Sequence, residues 1–227
     1  FQEEREKPIL VWLDLRAPMF FATRGRFKSV VAAEVAGLLL WKTLAEGDRA
    51  GGILQNDQQT LEFKPARSRS SALHFMRQLA DATQHGPAPA NYGLPGQDQL
   101  LDSWQRLRRV AEAGAQVFVI SDFRGAGHQA LRQLAMINRH AQVVLIAIND
   151  PFEEHLPEQE RLRLSDGRRS IWVNLKLKRW RQDYRQNRTA RRESLRDFAR
   201  KHRMPLVHLS TGDSVIERLL KLTRGMR

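Results

Sequence analysis

A chain of 227 residues that is 41% hydrophobic can bury a proper core as one large domain, and its lack of cysteine excludes disulfides, thiolate metal sites and cysteine nucleophiles. The longest apolar runs fall far short of the roughly 18 residues a membrane span needs. The formal charge of +13 is uneven: residues 161–203 hold 16 Lys or Arg and 4 acids, while the rest of the chain is nearly balanced.

Residues 9–14, ILVWLD, read as a buried strand that delivers Asp14 to its C-terminal edge. Phe27, Val30, Val31, Val35, Leu38 and Leu39 fall at helical spacing, which predicts a helix over 26–46 ended by Gly47. AGGIL (50–54) and QTLEFKP (59–65) flank a turn-rich stretch and read as a hairpin. A helix over 70–84 follows, then HGPAPANYGLPG (85–96), a Gly/Pro loop that reads as a mobile surface segment.

Helices over 98–113 and 127–140 alternate with the strands AQVFVIS and QVVLIAI, the pattern of a parallel sheet with crossovers. After Asp150-Pro151 the pattern shifts. RLRLSDGRRSIWVNL reads as a hairpin turning at Asp166-Gly167. A long helix over 178–202, the strand PLVHL and a last helix from Asp213 complete the chain. The expected fold class is α/β: one doubly wound, mostly parallel sheet with helices on both faces, spanning 1–227. The basic hairpin-plus-helix segment 161–203 is inserted near its C-terminal end.

Few residues carry recognisable chemistry. Asp14 and Asp122 each end a strand, and near a topological switch point they would share one crevice. Acids at strand ends are also ordinary turn and cap residues, and the pattern leaves both readings open. GAGHQA (125–130) fits G-x-G-x-x-A, but Asp122-Phe123-Arg124 separates it from the strand, so it reads as a glycine-rich helix start. There is no P-loop, no G-x-S-x-G elbow and no histidine pair at ligand spacing; His208 reads as a core or strand-end residue.

Arg181, Arg185, Arg188, Arg192, Arg196, Arg200 and Arg203 recur at spacings of 3 or 4 and so share one helix face. Trp180, Tyr184, Leu195 and Phe198 form a neighbouring apolar stripe. Three readings stay open: a solvated face partly paired with Glu193 and Asp197, a surface for an acidic protein, or a surface for nucleic acid or anionic lipid. The bias of 30 Arg to 8 Lys can also follow from GC-rich coding.

The opening stretch FQEEREKPILVWLDLRAPMFF, together with VFVISDF, RLSDG, RRESLRDFARKH and LSTGDSVIERLLKL in that order, resembles the bacterial von Willebrand factor A-like family encoded beside MoxR-type AAA+ ATPases, a domain of unknown function numbered 58. The resemblance covers nearly the whole chain. It implies a place where the von Willebrand A fold can hold a divalent ion, using an aspartate and two serines spaced D-x-S-x-S, a threonine and a further aspartate. Asp14 matches the first aspartate and Asp122 the last. The serine positions are Arg16 and Pro18, and the threonine position falls near Gln97.

A degenerate metal-ion site is therefore expected, with no metal and no cofactor. Arg16 is expected to stand in the metal's place and pair with Asp122 or Asp14, and serines at positions 16 and 18 are expected to restore some metal affinity. The resemblance implies a non-enzymatic interaction module, an adaptor for a MoxR-type AAA+ ATPase. The alternative is a nucleic-acid-binding or anion-binding protein that uses helix 178–203, with weak, non-specific nucleic-acid binding. The chain opens without methionine, and it reads as a fragment whose expected location is cytoplasmic, with no membrane contact from this segment; it could be the cytoplasmic part of a membrane-anchored protein.

Overall fold

A computed structural model describes residues 7–23, 25–86, 97–154, 161–165, 170–174 and 178–225. Six strands form one sheet: β1 (Ile9–Asp14), β2 (Ala50–Gln55), β3 (Thr60–Ala66), β4 (Gln116–Ser121), β5 (Gln142–Asn149) and β8 (Leu206–Ser210). Their order is β3-β2-β1-β4-β5-β8, and all pairs are parallel except the β2–β3 hairpin at one edge. This is the expected doubly wound, mostly parallel α/β sheet. The winding reverses between β1 and β4, so the switch point lies beyond Asp14 and Ser121.

Helices α1 (Lys28–Ala45), α2 (Arg69–His85) and α7 (Val215–Gly225) cover one face of the sheet. Helices α3 (Gln97–Val110), α4 (His128–Ile137) and α6 (Lys178–Lys201) cover the other. The strands read as unbroken apolar runs because both faces are buried. In β1, Ile9, Val11 and Leu13 pack with α1, while Leu10 and Trp12 pack with α3. Trp12 donates its Nε1–H to Ser103 Oγ at 2.8 Å and meets Trp104 edge to face at 5.4 Å.

Gly51 and Gly52 in β2 let backbone and helix approach closely. A Cβ at Gly52 would strike the Val11 carbonyl and stand 3.0 Å from the Phe75 ring, and one at Gly51 would lie 2.6 Å from Phe63 O. Gly52→Ala is therefore expected to cost about 1–3 kcal/mol or more, because a core strand has no room to yield. Urea unfolding measures it, and a loss within 0.5 kcal/mol, about what a surface substitution costs, would refute it.

Two short elements were not expected, a 3-10 turn at Ala17–Met19 and the single turn α5 (Pro151–Glu154). The strands β6 (Arg161–Ser165) and β7 (Ser170–Asn174) pair antiparallel, as the basic hairpin required. Its turn at Asp166-Gly167 lies outside the described residues, as do residues 87–96 of the Gly/Pro loop and the side chains of Gln97 and Trp180.

One expectation about the basic helix needs correction. The helix ends at Lys201, and Arg203 lies beyond it at φ +55° in the left-handed region. Arg203 therefore leaves the helical face, and six of the seven arginines stand on α6. Its buried stripe, Leu195 and Ala199 with half-buried Phe198, packs with α3 and α4.

Candidate functional site

At the switch point the chain assembles carboxylates and cations in nearly equal number, all at the carboxyl ends of strands or the starts of helices. Asp14 ends β1 and is buried. Arg16, also fully buried, folds back on it: Nε–H donates to Asp14 Oδ1 at 2.9 Å and Nη2–H to Oδ2 at 2.7 Å. Nη2–H also reaches the Arg124 carbonyl at 3.0 Å, and the Arg16 backbone N–H donates to Asp14 Oδ1 at 3.0 Å. Ser121 Oγ–H donates to Asp14 Oδ2 at 2.6 Å. Burial alone would lower the Arg16 pKa, but the charge and hydrogen bonds of Asp14, with the charges of Asp122 and Asp57, outweigh it and raise the pKa above its ordinary value.

Of the two partners considered for Arg16, the direct one is Asp14. Asp122 takes a different cation. Lys28, at the first turn of α1 and with no exposed side-chain surface, donates to Asp122 Oδ2 at 2.7 Å and to Glu153 Oε1 at 2.9 Å. Arg124 Nη2–H donates to Glu153 Oε1 at 2.6 Å, and the Arg124 backbone N–H donates to Asp122 Oδ1 at 2.9 Å. Burial would raise the Asp122 pKa, but Lys28 and Arg124 more than offset it and hold it below the usual carboxylate range.

A fourth buried carboxylate, Asp150 just after β5, is held by neutral donors. Thr23 N–H and Oγ1–H, Phe152 N–H and Thr211 Oγ1–H all reach it within 3.0 Å. Burial pushes its pKa up, and these bonds more than reverse the push, leaving it lowered. Asp150 thus ties the loops after β1, β5 and β8 into one rim.

Asp122 and Asp150 ionise more readily in the folded chain than in the unfolded one. Each contributes stability that is fully present above the unfolded value of about 3.9 and is lost as the pH falls through the folded pKa. Stability is therefore expected to decline as acid is added below about pH 5. Urea titrations across that range would show it, and a flat profile would contradict the pairing.

The donor set does not fit a divalent cation. Magnesium needs about six hard oxygens in octahedral geometry. Positions 16 and 18 offer a guanidinium and a proline ring, and the Asp14 oxygens are occupied by Arg16 and Ser121. The Asp122 oxygens are occupied by an ammonium and a backbone N–H.

Lys28, Glu153, Ser121 and Asp150 escaped the sequence reading. Lys28 sits among apolar positions at the start of an amphipathic helix, where a lysine ordinarily leans into solvent. Its only signal was a charge in the first turn beside Phe27, Val30 and Val31.

Along α6, Arg185, Arg192, Arg196 and Arg200 are exposed, while Arg181 and Arg188 are half-buried. Arg200 pairs with Asp197 at 3.0 Å on a fully solvated surface, a bond of little energetic weight.

This sheet order, with its carboxylate-tipped β1 and β4, defines a von Willebrand factor A-like α/β fold. Residues 1–194 match the family described as "Protein of unknown function DUF58", and the chain belongs to that family. The conserved hypothetical protein BatB from Bacteroides thetaiotaomicron is 14% identical with a TM-score of 0.58, over 97% of this chain and 98% of that one. The SpRpn10 VWA domain is 12% identical with a TM-score of 0.47, over 96% of this chain and 95% of that one. A von Willebrand factor type A structure from Catenulispora acidiphila is 13% identical with a TM-score of 0.43, covering 63% of this chain and 33% of that one. At these identities the likeness is one of fold. No curated protein sequence matches the chain.

Proposed function

We propose that this domain is a non-enzymatic protein-interaction module, an adaptor for a MoxR-type AAA+ ATPase, in which a once metal-binding crevice has become a structural ion-pair cluster. The observation that carries the reading is the closure of the crevice: fully buried Arg16 and Lys28, with one-third-exposed Arg124, neutralise Asp14, Asp122 and Glu153. Asp122, whose ionised form is held by Lys28 and Arg124 well below the range a base near neutral pH requires, is a poor general base. What remains for function is surface, and the exposed arginines of α6 are its most charged part. The order of motifs shared with the family encoded beside MoxR-type ATPases supports the partner class.

Co-expression with the neighbouring ATPase is the test, and a complex stable at micromolar concentration is expected. Reversing Arg188, Arg192 and Arg196 to Glu should weaken it at least about tenfold, the effect of roughly 1.4 kcal/mol lost across a charged interface. Unchanged binding would exclude the α6 face, and no complex at all would overturn the partner assignment.

The exposed arginines also support a second reading, weak binding to duplex DNA. It should be independent of sequence and fall steeply with salt as counterions are released. Enrichment of a defined motif in a selection would overturn that lack of specificity.

A further inference from the structure

A cavity of about 500 Å³ opens beside the ion-pair cluster, over the carboxyl ends of β4, β5 and β8 and under α6. This is where open α/β sheets place ligands, and the volume suits a small organic molecule. Among the described residues, four arginines line it, Arg124, Arg188, Arg191 and Arg192, against two carboxylates, Asp122 and Glu153. Lys28, which lies behind them, already pairs with both carboxylates and offsets one of their two charges. The lining therefore carries a net positive charge whatever internal bond any one guanidinium makes. Its apolar part includes Phe123, Leu131, Ala147 and Leu195.

The third component is the start of α4. Gly125, Ala126 and Gly127 line the cavity. Gly127 is the N-cap, in extended geometry at φ −71° and ψ 166°, with no side-chain cap and no acid in the first turn. Most helices close this end with Ser, Thr, Asp or Asn. Here no side chain of the described residues caps the amide end of a ten-residue helix, which starts beside the arginines. The loop that aims it is bent by two left-handed residues, Phe123 at φ +56° and Gly125 at φ +77°. A phenylalanine in that region costs roughly 1 kcal/mol or more, a strain that concentrates at ligand sites. The GAGHQA stretch does not make a dinucleotide turn, because Ser121 and His128 are separated by a six-residue loop, yet its glycines face the cavity.

We propose that this cavity binds a phosphorylated small organic molecule. Its phosphate lies between the open amides of α4 and the arginines of α6, and its organic body rests on the apolar lining. Cation, open helix terminus and apolar surface together match an anion with a carbon skeleton better than a bare ion. The proposal does not rest on the partner assignment, although Arg188 and Arg192 belong to both surfaces.

Calorimetry on the 227-residue chain tests it with ADP and inorganic phosphate as probes. ADP should bind saturably, and at least about tenfold more tightly than phosphate, a gain of about 1.4 kcal/mol that one well-buried apolar contact can supply. Gly127→Asp suits the existing backbone and caps the helix, so it should leave the melting temperature unchanged or higher. It also places a carboxylate where the phosphate would sit, and ADP affinity should fall at least about tenfold. If that variant melts lower, Arg191→Glu on the exposed side of α6 provides the same readout.

ADP binding that Gly127→Asp leaves intact in a folded protein would overturn the site, as would equal affinities for ADP and phosphate. Absence of saturation at millimolar ADP would do the same. So would a glutamate-rich peptide that binds where ADP does not. The ATPase complex should survive Gly127→Asp, which separates the two proposals.

Discussion

Replacing Lys28 with methionine is expected to destabilise the domain by about 3–5 kcal/mol, the range for removing one partner of a buried ion pair. Methionine keeps the length and packing of the lysine stem, so the loss reports the charge. Asp122 and Glu153 would remain buried with half their neutralisation gone. Arg124 limits the damage: it already bonds Glu153 at 2.6 Å and its Nε lies 3.5 Å from Asp122. Its side chain is one-third exposed, so it screens the pair less well than a buried ammonium. The loss should therefore fall nearer the lower bound, a shift in melting temperature of about 6–12 °C for a chain of this size.

Urea unfolding at neutral pH measures the effect, and a loss under about 1 kcal/mol, the weight of a surface pair, would mean that Arg124 alone suffices. Adding Asp122→Asn and Glu153→Gln should recover much of the loss, because no buried charge is then left uncompensated.

The sheet was legible in the sequence because both of its faces are buried: β1, β4 and β5 are apolar except at their ends and cannot be mistaken for amphipathic strands. The boundaries of α1 and α2 came within two residues for a related reason, since their apolar stripes are long and Gly47 marks the end of the first. Arg203 was misplaced because arginine spacing carries no information about where hydrogen bonding stops, and the chain turns left-handed there without a glycine to announce it.

The ion-pair cluster was only half legible. Asp14 and Asp122 stand out as acids at the ends of apolar runs. Arg16 was placed beside them by its spacing, but the rest of the cluster does not stand out: Lys28 and Glu153 come from helix starts that lie 94 and 31 residues from Asp122 along the chain. Proximity across a switch point is a property of topology, and no local pattern encodes it.

Substituting serine for both Arg16 and Pro18 is expected to leave the domain without magnesium affinity, contrary to what ligand positions alone suggest. Two hydroxyls would return to the loop and the guanidinium would be gone. Asp14 would keep its bonds to Ser121 Oγ and to the backbone N–H of position 16. It would lose Arg16, its direct counter-charge among the described residues, at a cost of about 3–5 kcal/mol. The second obstacle is Lys28. An ion that used Asp122 would compete with the ammonium 2.7 Å from that carboxylate. A unit charge against a dication about 4 Å away, at an effective dielectric near 20, repels by about 8 kcal/mol, far more than two hydroxyl ligands return.

Relief requires a third change, Lys28→Ser, which removes the ammonium and leaves Asp122 facing only the more exposed Arg124 among the described cations. Calorimetry on the double and triple variants decides the point. No heat of binding at millimolar magnesium from the double variant, and measurable binding from the triple, is the expected pair of results. Magnesium binding by the double variant would show that Lys28 can swing away to Glu153 alone. In that case Arg16 by itself, and not the whole ion-pair cluster, is what keeps a divalent cation out of the crevice.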